Sequence, residues 1–115
     1  MVMSILSDTK KVLGLDSTYT PFDLDILIHI NSTLSVLTQL GILTDAGYSV
    51  SNAEDVWDDL DLSIPLLSLV KSYMYLKVKM LFDPPGTSFL IEAVRKQTEE
   101  FEWRLQMLKE YEDAN

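Results

Sequence analysis

The chain has no cysteine, a single histidine, four glycines and four prolines among 115 residues. Without cysteine there are no disulfides and no thiolate metal sites, which fits a reducing compartment. The one histidine, His29, sits between Ile28 and Ile30 in a helical pattern. A catalytic histidine needs a nucleophile or an orienting acid, and no motif supplies either, so a structural or solvent-facing role is expected. Positive charge is missing from a long stretch. Residues 21–70 carry eight carboxylates (Asp23, Asp25, Asp45, Glu54, Asp55, Asp58, Asp59, Asp61) and no Lys or Arg. The next cations, Lys71, Lys77 and Lys79, stand in a segment without acids. Phosphate backbones are gripped by clustered Lys and Arg, so a net charge of −9 argues against nucleic-acid binding by charge neutralisation. The acid excess reads most simply as a solvated surface, and more sharply as a surface that repels a polyanion or docks a basic partner. No apolar run approaches the ~20 residues of a membrane span. Met1–Ser7 lacks the basic start of a signal peptide. The expectation is a soluble product made in the cytoplasm, with no membrane partner.

What is present is a high apolar content, 47%, arranged with helical spacing and little strand-like alternation. At this length a single domain over residues 1–115 is expected, all-α, as a small bundle of four to five helices. The first helix is predicted over Ser4–Leu13, stopped by Gly14. The second starts with Thr20 as N-cap and Pro21 in the first helical position, and ends at Gly41. Its face of Phe22, Ile26, Leu27, Ile30, Leu34, Val36, Leu37 and Leu40 is widened by Leu24 and Ile28, so it is either central or shared with a partner chain. Gly41–Ser51 reads as a connector, with Tyr48–Val50 as a short extended piece. Asn52 is expected to cap a short helix over Ala53–Leu60. The next helix starts at Ser63 or Ile64, carries Pro65 in its first turn and runs to Leu81 or Phe82. Leu66, Leu69, Val70, Tyr73, Met74, Leu76, Val78, Met80 and Leu81 are its core candidates.

Asp83-Pro84-Pro85-Gly86 then forces a corner, because proline lacks the N–H and the residue before a proline avoids the α region. Thr87 or Ser88 caps a long C-terminal helix reaching about Glu110. Phe89, Leu90, Val94, Thr98, Phe101, Leu105, Leu108 and Tyr111 form its apolar stripe. Glu92–Lys96 and Glu100–Arg104 are predicted i,i+4 ion pairs.

No constellation for chemistry emerges. Asp55–Asp61 lacks the alternating ligands, central Gly and terminal Glu of a Ca²⁺ loop. Gly86-Thr87-Ser88 lacks the strand and Lys of a phosphate loop. No catalytic, cofactor or metal site is expected, and an enzyme is not the reading. Trp57 is expected to pack its short helix onto the core. Trp103, offset toward the charged side, is expected at the core edge, or else as an anchor in a subunit interface, where Trp and Arg are enriched. Trp57, Phe101, Trp103 and Arg104 are the candidate interface residues.

The segment Tyr73-Met-Tyr-Leu-Lys-Val-Lys-Met-Leu-Phe-Asp-Pro-Pro-Gly-Thr-Ser-Phe89, with Glu100-Phe-Glu-Trp-Arg-Leu105, resembles head–tail connector (adaptor) proteins of tailed phages and prophages of Gram-positive bacteria. The resemblance extends to Phe22–Asn31, Thr38–Gly41 and Trp57–Asp59, in the right order. It implies an all-α structural subunit of the virion, without cofactor, that forms a ring under the portal protein. That ring would extend the DNA channel, with DNA only as transiting cargo, and dock the next tail or stopper component. The competing reading is an acidic helical interaction module of the antitoxin or inhibitor kind.

Overall fold

A computed structural model describes residues 3–44 and 47–114. Asp45 of the acidic stretch lies outside the described residues. Among the described residues four α-helices follow one another: α1 (Ile5–Val12), α2 (Asp23–Gln39), α3 (Ile64–Phe82) and α4 (Ser88–Ala114), with one 3-10 turn at Trp57–Leu60. The fold is a small all-α bundle, as the periodicity predicts.

The helix boundaries are set by local chemistry. The Ser4 hydroxyl accepts from the Ser7 N–H at 3.1 Å and starts α1. The Ser63 hydroxyl does the same for the Leu66 N–H and starts α3. Helices α1 and α2 both end in a Schellman motif. Gly14 and Gly41 adopt φ near +82° and +83°, a region that costs an L side chain strain. Their N–H groups donate to Lys11 and Thr38, and the next residues, Leu15 and Ile42, reach back to the carbonyls of Lys10 and Leu37.

Helix α2 begins two residues later than Thr20 and Pro21 suggest. Residues 20–22 instead form a turn closed by the Asp23 N–H on the Thr20 carbonyl. Phe22, at the N-cap position, lies edge-on to Phe82 at the end of α3 (5.4 Å between centroids) and against Tyr19. Aromatic packing across the bundle outweighs the local start signal.

The predicted helix over Ala53–Leu60 is also shorter than expected. Asn52 caps only a turn, accepting from the Glu54 N–H. Asp55 accepts from Ser51 and Asn52, and helix returns only as the 3-10 turn. The reason lies outside the segment. Its backbone pairs with the N-terminal segment through Ile5 N–H to Asp55 and Trp57 N–H to Met3, an isolated antiparallel bridge between Ser4 and Val56. Backbone groups used in that bridge cannot also close helical turns.

Residues 47–63 thus form a clasp across α1–α3. Asn31 fixes its start, accepting from the Val50 N–H at 2.7 Å and donating to the Val50 carbonyl at 3.0 Å. Trp57, 1% exposed, is its central plug. The Trp57 indole N–H donates to Asp8 at 2.9 Å, Tyr75 meets the ring edge-on, and the Lys71 ammonium lies 5.5 Å from the ring centroid.

Helix α3 is the central element. Helices α1, α2 and α4 all pack on it, and α2 and α4 have no comparable contact with each other. Ile26, Ile30, Leu34 and Leu37 of α2 meet Leu66, Val70, Tyr73, Met74 and Val78 of α3 in one core. Beside it, Lys10 is only 2% exposed and ion-paired with Asp23 at 2.8 Å. The Lys10 ammonium also donates to the Ser17 carbonyl at 3.0 Å.

Candidate interaction surface

Helix α4 returns antiparallel along α3. Ser63, at the start of α3, donates to Glu112 near the end of α4, and Tyr73, halfway along, donates to Glu102 at 2.6 Å. Burial and that hydrogen bond hold the Tyr73 phenol above its ordinary pKa. Leu105 is the one residue of α4 that is fully buried, with Phe101 and Leu108 half-buried beside it.

The leading half of α4 is different. Phe89 is 79% exposed, and Leu90 and Ile91 are exposed with it. The stripe predicted to run the whole helix is therefore covered only in its middle, from Val94 to Leu108, and Tyr111 near its end is exposed too. Leu81, a predicted core residue of α3, is exposed as well. For Leu90 and Ile91, on the Leu105 side of α4, the cause is the corner, whereas Phe89 faces away from α3. Asp83 is the C-cap of α3, with φ −143° and ψ 72°, and the chain travels on through Pro84–Gly86 before Thr87 accepts from the Leu90 N–H at 3.2 Å and starts α4. The helices separate there, leaving a cleft lined by Leu76, Lys79, Met80, Asp83, Pro85 and Val94. It holds about 70 Å³, against the ~300 Å³ or more of a typical small-molecule site. A shallow open trough beside it runs between Val12 of α1 and Gln97 and Phe101 of α4.

The other side of α4 carries a second set of large side chains. Phe89, Trp103 and Met107 lie on the side of the helix opposite Leu105 by its 3.6-residue period. Trp103 is 62% exposed, so it does not pack at the core edge. Arg104 lies beside it, exposed, with its guanidinium 5.6 Å from the Phe101 ring centroid. Of the four candidate interface residues, the fold brings Phe101, Trp103 and Arg104 onto α4 and places Trp57 inside the body, where it has no free surface to offer. The Asp83–Gly86 corner is at the surface.

The charges of α4 pair differently from the expected i,i+4 set. Arg95 binds both Glu92 and Glu99, which holds the Glu92 carboxyl below its ordinary pKa. Lys109 pairs with Asp113 at 3.3 Å. Lys96 and Arg104 have no carboxylate within ion-pair distance among the described residues. An arginine planted between two glutamates satisfies both forks of its guanidinium at once, which Lys96 cannot do.

The acids of the clasp lie at the surface around Trp57. Glu54, Asp58, Asp59 and Asp61 are exposed, and Asp61 adopts φ 53° where the clasp turns into α3. Tyr48 donates to Asp59; burial and the charges of Asp59 and Asp55 push its phenol up to about 12. Among the described residues no three His, Asp or Glu side chains come together as metal ligands. His29 is half-buried on α2. No helix of the described residues is long and apolar enough to cross a membrane.

Sequence reading missed two features. One is the buried Lys10–Asp23 pair, whose members are far apart in sequence. The other is the outer face of α4, whose signal was present: residues 89, 103 and 107 share a helix face that does not contain Leu105.

A family model described as a phage connector protein matches residues 5–112, nearly the whole chain. No curated protein and no solved structure matches it.

Proposed function

The chain belongs to the phage connector protein family, and from that premise we propose that it is a ring-forming structural subunit at the head–tail junction of the virion. In this reading copies assemble under the portal, extend the DNA channel and present a surface to the next connector or tail component, after synthesis in the cytoplasm of the bacterial host. The role is contact and positioning rather than catalysis. One observation beyond family membership supports it most. A 27-residue helix is anchored at a single fully buried residue, while its leading half and outer face expose large apolar side chains. An isolated subunit gains nothing from such a surface; an assembled one buries it.

The acidic surface has a place in the same reading. A channel for DNA must not grip it, and carboxylates do not hold phosphates. We assign the exposed acids of residues 21–70 to the channel side. A ring structure in which Lys77 and Lys79 line the channel would refute that assignment.

Electron microscopy of the protein mixed with its portal tests the proposal as a whole. The expected result is an additional ring of density on the portal. A protein that never joins portal or particle would overturn the connector reading in favour of an acidic interaction module.

A further inference from the structure

Helix α4 carries a second seam on the side away from α3. Phe89, Ala93, Lys96, Glu100, Trp103 and Met107 follow one another at spacings of four and three, the seven-residue repeat that keeps one line of side chains facing a paired helix. All six are exposed. Helix α3 packs on the opposite side, where Leu105 is buried, so the seam is unobstructed within the subunit.

The order of residues along this seam is self-complementary. About the level of Thr98 they fall into opposed pairs: Lys96 and Glu100, Ala93 and Trp103, Phe89 and Met107, each pair equidistant from that point. When two such helices lie antiparallel about a two-fold axis at Thr98, Lys96 faces the partner's Glu100, Ala93 the partner's Trp103 and Phe89 the partner's Met107. Opposite charges meet, the largest side chain meets the smallest, and an aromatic ring meets a thioether, which is a favourable contact. Lys96 and Glu100 have no ion-pair partner within the subunit among the described residues.

Other arrangements lose this match. A parallel pair sets Lys96 on Lys96, Glu100 on Glu100 and Trp103 on Trp103. An antiparallel pair slipped by one repeat sets Lys96 on Met107 and Glu100 on Trp103, or in the other direction Phe89 on Glu100, and so places charge against apolar side chains. At the edges of the matched pair Gln97 meets its own copy on one side and Glu99 on the other. Each Glu99 is already bound by Arg95 of its own chain. Glu110 and Ala114 continue the seam past the start of the partner's α4 and stay in water.

We infer that free copies of this chain pair two-fold through the outer faces of α4, antiparallel and in this register. The occupant of the face is a second copy. A polar layer at the centre of a helix pair fixes its register at a cost in stability, so the pair is specific and weak. A two-fold contact closes at a dimer and does not propagate around a ring. The pairing therefore belongs to copies outside the ring, where it covers Phe89, Trp103 and Met107, and it stands independently of the ring reading.

Sedimentation equilibrium of the full chain over a concentration series tests it. The expected result is a reversible monomer–dimer equilibrium. Lys96→Glu and Glu100→Lys each set like charges in both central layers and should weaken the dimer about tenfold or more. An equimolar mixture of these two variants should recover the affinity, as should the double exchange in one chain. A monomer at every concentration would overturn the inference, and so would a dimer indifferent to these exchanges. Cross-linking checks the register. Phe89→Cys and Met107→Cys in one chain lie roughly 27 Å apart along α4, whereas a disulfide needs Cα atoms within about 7 Å, so they cannot bridge within a subunit. Oxidation should give a covalent dimer from the double variant and none from either single one. A ladder of larger oligomers, or no cross-link in a variant that still sediments as a dimer, would refute the register. A chain that stays monomeric yet joins particles ends this inference and leaves the connector reading intact; a dimer that never joins particles does the reverse.

Discussion

Trp57 and Trp103 are the same side chain in opposite circumstances. Trp57 lies at the centre of the clasp, 1% exposed, with its indole N–H on Asp8, Tyr75 at its edge and Lys71 over its face. Trp103 lies on the outside of α4, 62% exposed, with Arg104 next to it in sequence. The first ties together α1, the segment joining α2 to α3, and α3. The second ties nothing within the subunit. The body is closed on itself by long-range contacts, whereas the leading part and outer face of α4 are left open. An aromatic ring costs free energy in water, so its exposure in α4 is informative where its burial in the clasp is ordinary.

Substituting each tryptophan in turn should give the largest contrast. Trp57→Ala should destabilise the subunit by about 4 kcal/mol, the usual range for a fully buried aromatic, and lower the melting temperature sharply. Trp103→Ala should leave stability within about 0.5 kcal/mol, as at exposed sites, yet impair assembly. Equal melting losses for the two would erase the distinction.

The buried ion pair sharpens the account of the body. Asp23→Ala leaves the Lys10 ammonium buried without its counter-charge and should cost about 3 kcal/mol in chemical denaturation. Lys10→Met keeps most of the apolar stem, and the Asp23 side chain it leaves is 27% exposed against 2% for Lys10, so its cost should be smaller. The reverse order would show that the pair is better hydrated than its geometry implies.

Alkaline pH probes body and α4 together. Tyr73 is held above its ordinary pKa by burial and its bond to Glu102; Tyr75 is pushed up to about 12 by burial and the charge of Asp8, and Tyr48 likewise. A phenol whose pKa is higher folded than unfolded contributes stability that is complete below the unfolded value, about 10, and is lost as pH rises through the folded value. Urea midpoints should therefore be insensitive to these groups at neutral pH and fall above about pH 10. Tyr73→Phe should flatten part of that fall. An unchanged alkaline slope in that variant would mean that the α3–α4 hydrogen bond contributes little.

A small effect on folding is expected at the corner as well. Replacing Pro84 and Pro85 with Ala lets α3 and α4 reorient or partly fuse. Helical content by circular dichroism should be retained and stability should change by less than about 1 kcal/mol, while joining to portal or particles is impaired. Normal joining would separate the corner from positioning.

Much of this was legible beforehand. Gly14, Gly41, Ser63 with Pro65, and Asp83–Gly86 mark helix limits through backbone chemistry that belongs to single residues, and the structure keeps those limits. The apolar spacing of α2 and α3 identified most of the core. Two local signals were overruled. Thr20-Pro21 lost the start of α2 to the packing of Phe22 on Phe82, and the helix predicted over Ala53–Leu60 lost most of its turns to the bridge with Ser4. The candidate surface was half legible. Phe101, Trp103 and Arg104 could be chosen from composition and spacing, but whether each pointed in or out could not. Trp57 was chosen by the same reasoning and is buried.

By itself the sequence determined the class of the protein: helical, acidic, cornered at Pro84–Pro85, and bearing the ordered motifs of a connector. The first three follow from periodicity, from net charge, and from the fixed φ and missing N–H of proline, none of which needs a distant partner; the last is a family resemblance that the match over residues 5–112 bears out. Only the tertiary structure decided which apolar residues are surplus. A stripe on a helix shows that a face can be buried, but its burial depends on whether another element reaches it. Along α4 that element is α3, close at Leu105 and parted from the helix at the corner, which leaves Leu90 and Ile91 in water, with Phe89 and Trp103 on the outer side.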